Sequence, residues 1–358
     1  MKILQLSKYY EPVNGGIELV AKLMTKAFRE DNHEVRVVAF SDNEGERIGR
    51  YGEKIWEIKQ NLFFLSTPFS YRFYFSFKKI LEAESFDQIY IHLPNPFMHE
   101  ILKSAQQILK RTNTKVIGVY HSDIVNKGFL GSLYDRFFLR HQHLYDNFLC
   151  SSPKLRESSH VLQKVVFSKI KVIPFCVEEN NHFRIRENFT KELVAIGRFV
   201  PYKGFEFLLK ALQGTDYRLT LMGSGPLYKK LKQFEGPNLR LVGDVTEEVK
   251  NLYLNLADVL IVSSNSRAEA YGMTIVEAFH RGLPVVASNL PTGVTFLVND
   301  EVTGLIFDIE NRQSLLDSLK KLENDPLLMK KLSQQCYQFY HDQLRFKLFK
   351  EKLLALQN

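Results

Sequence analysis

Short apolar runs alternate along this chain with longer segments whose apolar residues recur every three or four positions. Lys2–Leu6 reads as a strand. Within Glu18–Glu30, the residues Leu19, Val20, Leu23, Met24, Ala27 and Phe28 trace one face of an amphipathic helix. Val35–Phe40, Gln88–Leu93, Val116–Tyr120, Asn147–Cys150 and Lys171–Ile173 follow as further strands. The pattern then restarts. Leu193–Gly197 is a strand, Phe205–Leu212 a helix, and Arg218–Met222, Leu239–Val242, Val259–Val262, Pro284–Ala287 and Gly304–Phe307 are strands with helical spacing between them. Strands alternating with helices predict parallel α/β sheets. Two successive sets of strands predict two doubly wound domains that face each other across a cleft. The joint falls near Pro174–Arg186, where a proline, a Glu-Glu-Asn-Asn run and lost periodicity mark a linker. From Asp325 onward the pattern is helical, basic and aromatic.

The length of 358 residues fits about two domains and a core that needs no staples. Three cysteines, Cys150, Cys176 and Cys336, are too far apart in sequence to form a redox or zinc motif, and their odd number suits a reducing cytosol. No transmembrane span is expected. The longest uncharged stretch, Gly282 to Asn299, is broken by Pro284, Pro291 and Gly293. The N-terminus does not read as a signal peptide, because Lys2 and Lys8 leave too short an apolar run between them. The net charge is +8. Between Lys103 and Lys171 there are twelve Lys or Arg against four Asp or Glu, a surplus equal to that whole net charge. This segment is either a set of solvated helix faces or a surface that docks on something acidic.

In open parallel sheets, ligands bind beyond the carboxyl ends of the strands, so the loops there are the places to look for chemistry. Asn14-Gly15-Gly16 follows the first strand and opens the first helix. Paired glycines let the backbone approach a ligand, and a helix start offers free N–H groups. A plain strand-to-helix turn fits the same residues. Gly197-Arg-Phe-Val-Pro-Tyr-Lys-Gly204 follows the first strand of the second half. Its Arg198 and Lys203 supply a planar donor fork and a point charge, which suit a diphosphate. The alternative is an ordinary charged surface loop. Glu269 and Glu277 stand eight positions apart, flanking Gly272, which opens a helix expected over Thr274–Arg281. The N–H groups of Met273 and Thr274 then point at an anion, and the carboxylates can accept bonds from sugar hydroxyls. Glu277 alone would also fit as compensation of the helix dipole. His121-Ser122-Asp123 follows the strand Val116–Tyr120. Adjacent residues on a turn cannot form a Ser–His–Asp relay, so no hydrolase is expected. Gly223-Ser-Gly-Pro is expected to be a turn. No Asp-x-Asp triplet occurs, so no metal site is expected.

Taken together, these pieces resemble the family 4 glycosyltransferases of the GT-B fold, the retaining type that uses nucleotide sugars. The most specific part is the Glu269 to Glu277 block with Tyr271-Gly272-Met273 inside it. GRFVPYKG (197–204), GSGPL (223–227), ADVLIVSS (257–264), GLPVVAS (282–288), the linker-like VIPFCVEENNHF (172–183) and NHEVRVVAF (32–40) support it. The family usually carries Phe where Tyr271 stands, a mild departure. The resemblance implies an acceptor-side domain at 1–176, a nucleotide-sugar domain at 177–336, and a terminal helix at 337–358 that packs back on the first. It implies that Gly15 and Gly16 abut the donor phosphates and that Arg198 and Lys203 hold the diphosphate. Glu277 would bind the ribose. Glu269, with backbone groups of Tyr271, Gly272, Met273 and Thr274, would meet the sugar and phosphate. His121 would sit beside the reacting centre. HSDIVNKG (121–128) is similar to a segment of bacterial O-antigen and capsule enzymes, several of them mannosyltransferases that use GDP-mannose.

The expected activity is therefore transfer of a hexose from a nucleotide diphosphate sugar, GDP-mannose foremost, to a glycan acceptor on a lipid carrier. It would run without metal or cofactor, in the cytoplasm or at the inner face of the membrane. Ser70–Lys79, with aromatic and basic residues interleaved, fits either an anionic membrane surface or the core of the first domain. A UDP-hexose or UDP-N-acetylhexosamine donor, a phosphorylase or epimerase on a similar fold, and a silent nucleotide-sugar-binding partner are the competing possibilities. Nucleic acid is not an expected partner, since no recognition motif accompanies the charge.

Overall fold

The computed structural model describes residues 1–13, 15–64, 67–125, 128–179 and 183–357. They form two compact units: Met1–Cys176 with Phe346–Asn358, and Val177–Arg345.

Unit 1 contains β1 (Lys2–Leu6), β2 (Glu34–Ser41), β3 (Gly45–Ile48), β4 (Lys54–Lys59), β5 (Leu62–Phe64), β6 (Thr67–Phe69), β7 (Gln88–Leu93), β8 (Lys115–Tyr120), β9 (Asn147–Cys150) and β10 (Ile170–Val172). Eight of these make one sheet in the order β10-β9-β8-β7-β1-β2-β4-β3, and only β3 runs antiparallel to its neighbour. β5 and β6 form a separate hairpin. Central strands are buried along nearly their whole length because helices cover both faces: Ile3, Leu4, Ile89 and Ile91 are fully buried. The sequence pattern misses β3, β4, β5 and β6. In β4 the buried residues are Ile55 and Ile58, three apart instead of two, and β3 is an exposed edge.

The chain leaves β1 toward β2 and returns on the other side at β7, so the strand order reverses between β1 and β7. Helix Gly16–Glu30 buries Val20, Leu23, Met24, Ala27 and Phe28. The C-terminal helix Phe346–Leu354 packs against it. Lys350 pairs with Glu30 at 3.1 Å, the Lys26 ammonium lies 4.4 Å from the centre of the Phe346 ring, and Gln357 bonds His33 at 2.8 Å. Residues 337–345 remain with unit 2. The aromatic-basic stretch is a helix, Tyr71–Ala83, capped by Ser70. Its two faces separate the aromatics: Phe73, Phe77 and Leu81 enter the core, while Tyr71, Arg72, Phe75, Lys78 and Lys79 are exposed.

Unit 2 contains β11 (Glu192–Ile196), β12 (Arg218–Met222), β13 (Leu239–Gly243), β14 (Val259–Val262), β15 (Val285–Ser288) and β16 (Gly304–Phe307). They form a wholly parallel sheet in the order β13-β12-β11-β14-β15-β16. Here the order reverses between β11 and β14. Leu193, Leu219, Val259 and Ile261 pack against Leu208 of helix Phe205–Leu212, Leu315 and Leu319 of Arg312–Asn324, and Leu332 of Pro326–Phe339. The linker's Arg186 is buried. Its guanidinium donates to the carbonyls of Arg281 and Leu254, and its backbone N–H donates to Ser333 Oγ, which fixes the entry strand to this unit. Each unit is therefore Rossmann-like, with a strand-order reversal where such sheets receive ligands. Among the described residues, no helix is long and apolar enough to cross a membrane.

Candidate active site

The reversal in unit 2 sets the loop after β11 beside the loop after β14. Gly204 makes this close approach possible. Its φ is +67°, and a Cβ there would stand 1.9 Å from the carbonyl oxygen of Ser263. Ser263 Oγ donates to the Lys203 carbonyl at 2.9 Å, and Asn265 N–H donates to the Tyr202 carbonyl at 2.9 Å. With its backbone fixed, Lys203 reaches Glu269 Oε2 at 2.5 Å, and Ser264 Oγ donates to the same oxygen at 2.9 Å. Burial works against the Lys203 ammonium, but the Glu269 carboxylate outweighs it and holds its pKa above the ordinary lysine value. Arg198 is exposed, and its side chain has no hydrogen-bond or ion-pair partner among the described residues. Its guanidinium is free for a ligand.

The segment after Glu269 is held from the other side. Thr292 Oγ1 donates to the Glu269 carbonyl at 2.8 Å, and Gly293 N–H to the Ala270 carbonyl at 2.8 Å. Tyr271 is buried. Gly272, at φ +89°, turns the chain into helix Met273–His280, one residue earlier at each end than the spacing suggests. Met273 and Thr274 occupy its first turn, where N–H groups lack helical acceptors. Glu277 lies one turn in. Its Oε1 pairs with Lys250 at 3.1 Å, whereas its Oε2 is buried with no hydrogen-bond partner among the described residues. A buried carboxylate oxygen left open is a costly arrangement and is suited to a hydroxyl donor. Lys250 also contacts Glu247, and these carboxylates lift its pKa despite burial. Gly223-Ser-Gly is a turn that stitches three strand ends together: Phe199 N–H donates to the Ser224 carbonyl at 2.6 Å and Gly223 N–H to the Gly243 carbonyl at 2.7 Å.

Unit 1 offers different material. Gly15, extended at φ −178°, precedes helix Gly16–Glu30 without a side-chain cap. Asn14 lies outside the described residues. The Glu18 carboxylate folds back on this helix start, so a Cβ on Gly15 would lie 2.2 Å from its Oε2, and burial raises its pKa. His121, just past β8, is buried, and its Nε2 is 2.9 Å from His92 Nδ1. His92 Nε2 in turn is 3.2 Å from Gln5 Oε1. Asp123 has partners of its own. It accepts from Tyr120 at 2.7 Å and from Ser159 at 2.5 Å, and it pairs with His160 at 3.0 Å. Asn126 and Lys127 of the 121–128 segment lie outside the described residues.

Within unit 2 the structure therefore joins Lys203 to Glu269 and leaves Arg198 and one oxygen of Glu277 open. Sequence reasoning missed Gln5, Glu18, His92, Lys250 and Ser264. For Gln5 and His92 a signal existed, since each interrupts an otherwise apolar strand. Among the described residues, no cluster of acidic, His or Cys side chains could hold a metal ion.

Comparison with known proteins bears on family and fold. The glycosyltransferase family 4 model matches residues 14–180, and the model for glycosyl transferases group 1 matches 177–339. The chain is 29% identical over 342 residues to the O-antigen chain mannosyltransferase C of Escherichia coli, covering 91% of this chain and 89% of that protein. It is 28% identical to the D-rhamnosyltransferase WbpZ of Pseudomonas aeruginosa, covering 86% and 82%. Among solved structures, Anabaena Alr3699/HepE in complex with UDP superposes with a TM-score of 0.77 over 99% of both chains at 19% identity. Motif, topology and both family models converge, and the chain belongs to the GT-B glycosyltransferases of the family 4 type.

Proposed function

We propose that this chain transfers a hexose from a nucleotide diphosphate sugar to a glycan acceptor on a lipid carrier, with retained anomeric configuration, in O-antigen or related polysaccharide synthesis. The observation that carries this reading is the Lys203–Glu269 pair beside an unpartnered Arg198 at the β11/β14 reversal. As the sugar–phosphate bond breaks, negative charge grows on the diphosphate. Lys203, Arg198 and the helix start at Met273 are already oriented to stabilise it, a preorganised effect worth roughly several kcal/mol. Glu277 Oε2 takes a ribose hydroxyl, and Glu269 meets the sugar. Gly15 and Gly16 approach the phosphates, with Tyr271, Gly272 and Thr274 lending backbone groups. His121 receives a hydroxyl near the reacting centre. The cations supply the neutralisation that a metal would otherwise supply, so the reaction runs without one and needs no cofactor.

GDP-mannose is the preferred donor, because the relatives similar over most of the chain include an O-antigen mannosyltransferase. A UDP-hexose is the second reading, favoured by the fold likeness to a protein solved with UDP. The lipid-linked acceptor implies contact with an anionic membrane. The exposed face of Tyr71–Ala83 and the basic residues of 103–171 supply the charge and aromatics for that contact.

A thermal-shift panel of GDP-mannose, UDP-glucose, UDP-galactose, UDP-N-acetylglucosamine and dTDP-rhamnose, each with and without EDTA, tests the proposal. One donor should raise the melting temperature, and the shift should survive EDTA. A folded protein that responds to none of them would overturn the donor reading. A shift abolished by EDTA would end the metal-free mechanism.

A further inference from the structure

The carboxyl ends of β1, β7 and β8, adjacent in the unit 1 sheet, carry Gln5, His92 and His121 in an unbroken hydrogen-bonded line. All three are buried, Gln5 completely. The direction of every hydrogen in the line follows from its far end. The Gln5 amide faces the Ala21 carbonyl at 3.3 Å and Thr25 Oγ1 at 2.6 Å. A carbonyl can only accept, so the amide nitrogen faces it and Oε1 faces His92. That oxygen can only accept, so His92 Nε2 carries a hydrogen. Burial holds both imidazoles far below the ordinary histidine pKa, His92 at about 3, so each ring has a single N–H. His92 Nδ1 is then a bare acceptor, and His121 Nε2 must be the donor to it. His121 Nδ1 is left as a lone pair with no partner among the described residues.

We infer that Gln5 and His92 are positioning residues that fix the tautomer of His121 and present its Nδ1 as an acceptor for a hydroxyl of the reacting sugar. The inference rests on the proposed role of His121 as a sugar contact. A histidine free to change tautomer would spend part of its time presenting an N–H, which repels the hydrogen of a hydroxyl donor. The line removes that option, and the Phe175 ring, 5.4 Å from the His121 ring, helps to limit rotation.

Nitrogen-15 imidazole spectra of the intact protein at pH 7.5 test the line without reference to activity. Both His92 and His121 should show a protonated Nε2 and a bare Nδ1. A His121 protonated at Nδ1 overturns the inference. Two variants then test its consequence. His92→Asn places an amide oxygen near the position of the ring Nδ1, whereas His92→Leu offers no acceptor. Transfer by the Leu variant should fall roughly ten- to a hundredfold in kcat, the scale of lost orientation, with donor KM little changed. The Asn variant should recover most of the loss and keep the His121 tautomer. Equal losses in both, or none in either, overturn the positioning role. Absence of transfer by the unmodified protein with every donor would strike the glycosyl-transfer reading instead, and the tautomer result would stand apart from it.

Discussion

At the strand-order reversal of unit 2, between β11 and β14, ions meet: Lys203 on Glu269, with Arg198 open to solvent. Beside the corresponding reversal of unit 1, between β1 and β7, the line from Thr25 through Gln5 and His92 to His121 is neutral. One topology delivers loop residues to equivalent places, yet the two sheets hold opposite chemistry. Charged, partly open groups suit a ligand that gains negative charge. A desolvated neutral line suits hydroxyls, because it fixes which atom donates and which accepts without attracting counter-ions. Under the proposed function, charge stabilisation of the leaving group falls mainly to unit 2, and unit 1 adds a neutral hydroxyl contact to those of Glu269 and Glu277.

The strongest test of that contrast removes charge from unit 2. Lys203→Ala and Glu277→Ala should each lower turnover at least ~100-fold, the scale of a lost transition-state contact. Lys203→Ala also leaves Glu269 buried with only Ser264 as a recorded side-chain partner, so its folding should be checked by calorimetry alongside the rate. Near-normal turnover in both folded variants would remove the charged site from the reaction.

The two sites were not equally legible in the sequence. The unit 2 site depends on residues close in sequence or joined by a short motif: Arg198, Lys203 and Gly204 on one loop, and Glu269, Gly272 and Glu277 on another. Its six strands are apolar runs bounded by turns, and periodicity finds all of them. The unit 1 line joins residues 5, 92 and 121, and only the sheet order β8-β7-β1 brings them together. No local spacing encodes such a contact. The same holds for Lys250, which meets Glu277 from a different helix, and for the edge strand β3, where burial imposes no alternation.

A second test acts on unit 1 through pH. Burial holds His92 and His99 at about 3 and His121 well below its ordinary value. In the unfolded chain each would bind a proton below about pH 6.5. The unfolded state then carries more protons, so this stability is complete above pH 6.5 and falls as the pH drops toward the folded values. By pH 5 the loss is about 2 kcal/mol for each histidine still neutral in the folded protein, and about twice that for the touching pair His92 and His121. His160 acts in the opposite sense. Burial lowers its pKa, but Asp135 and Asp123 outweigh this and raise it, so its contribution is present below pH 6.5 and is lost as pH rises through the raised value. Its side chain is half exposed, which keeps that term small. Trp56, the only tryptophan in the chain, lies in β4 of unit 1, so its fluorescence reports this unit. Urea midpoints followed at Trp56 should be lower at pH 5 than at pH 7.5. Equal midpoints would mean that the histidines are not held neutral.

The smallest effect on stability is expected on the outer face of unit 1, where the effect on location should be largest. Phe75 and Phe129 are 72% and 80% exposed. Phe75 shares the outer face of its helix with Arg72, Lys78 and Lys79, and Phe129 belongs to helix Gly128–Arg140 with the exposed Arg136 and Arg140. Neither ring contributes to the core, so Phe75→Ser and Phe129→Ser should each change folding stability by no more than about 0.5 kcal/mol. Aromatic rings among cations gain energy at a lipid headgroup boundary, the rings from burial and the cations from anionic lipid. Flotation with phosphatidylserine vesicles at low salt should therefore recover the unmodified protein and less of either variant. Leu252 of unit 2 provides the contrast. It is 55% exposed, but its helix opens with Glu247 and Glu248, whose carboxylates oppose an anionic surface. Leu252→Ser should float as the unmodified chain does. If the three variants lose binding equally, attraction to the vesicle is not a property of unit 1. If the unmodified chain does not float at low salt, these aromatics are not a membrane contact.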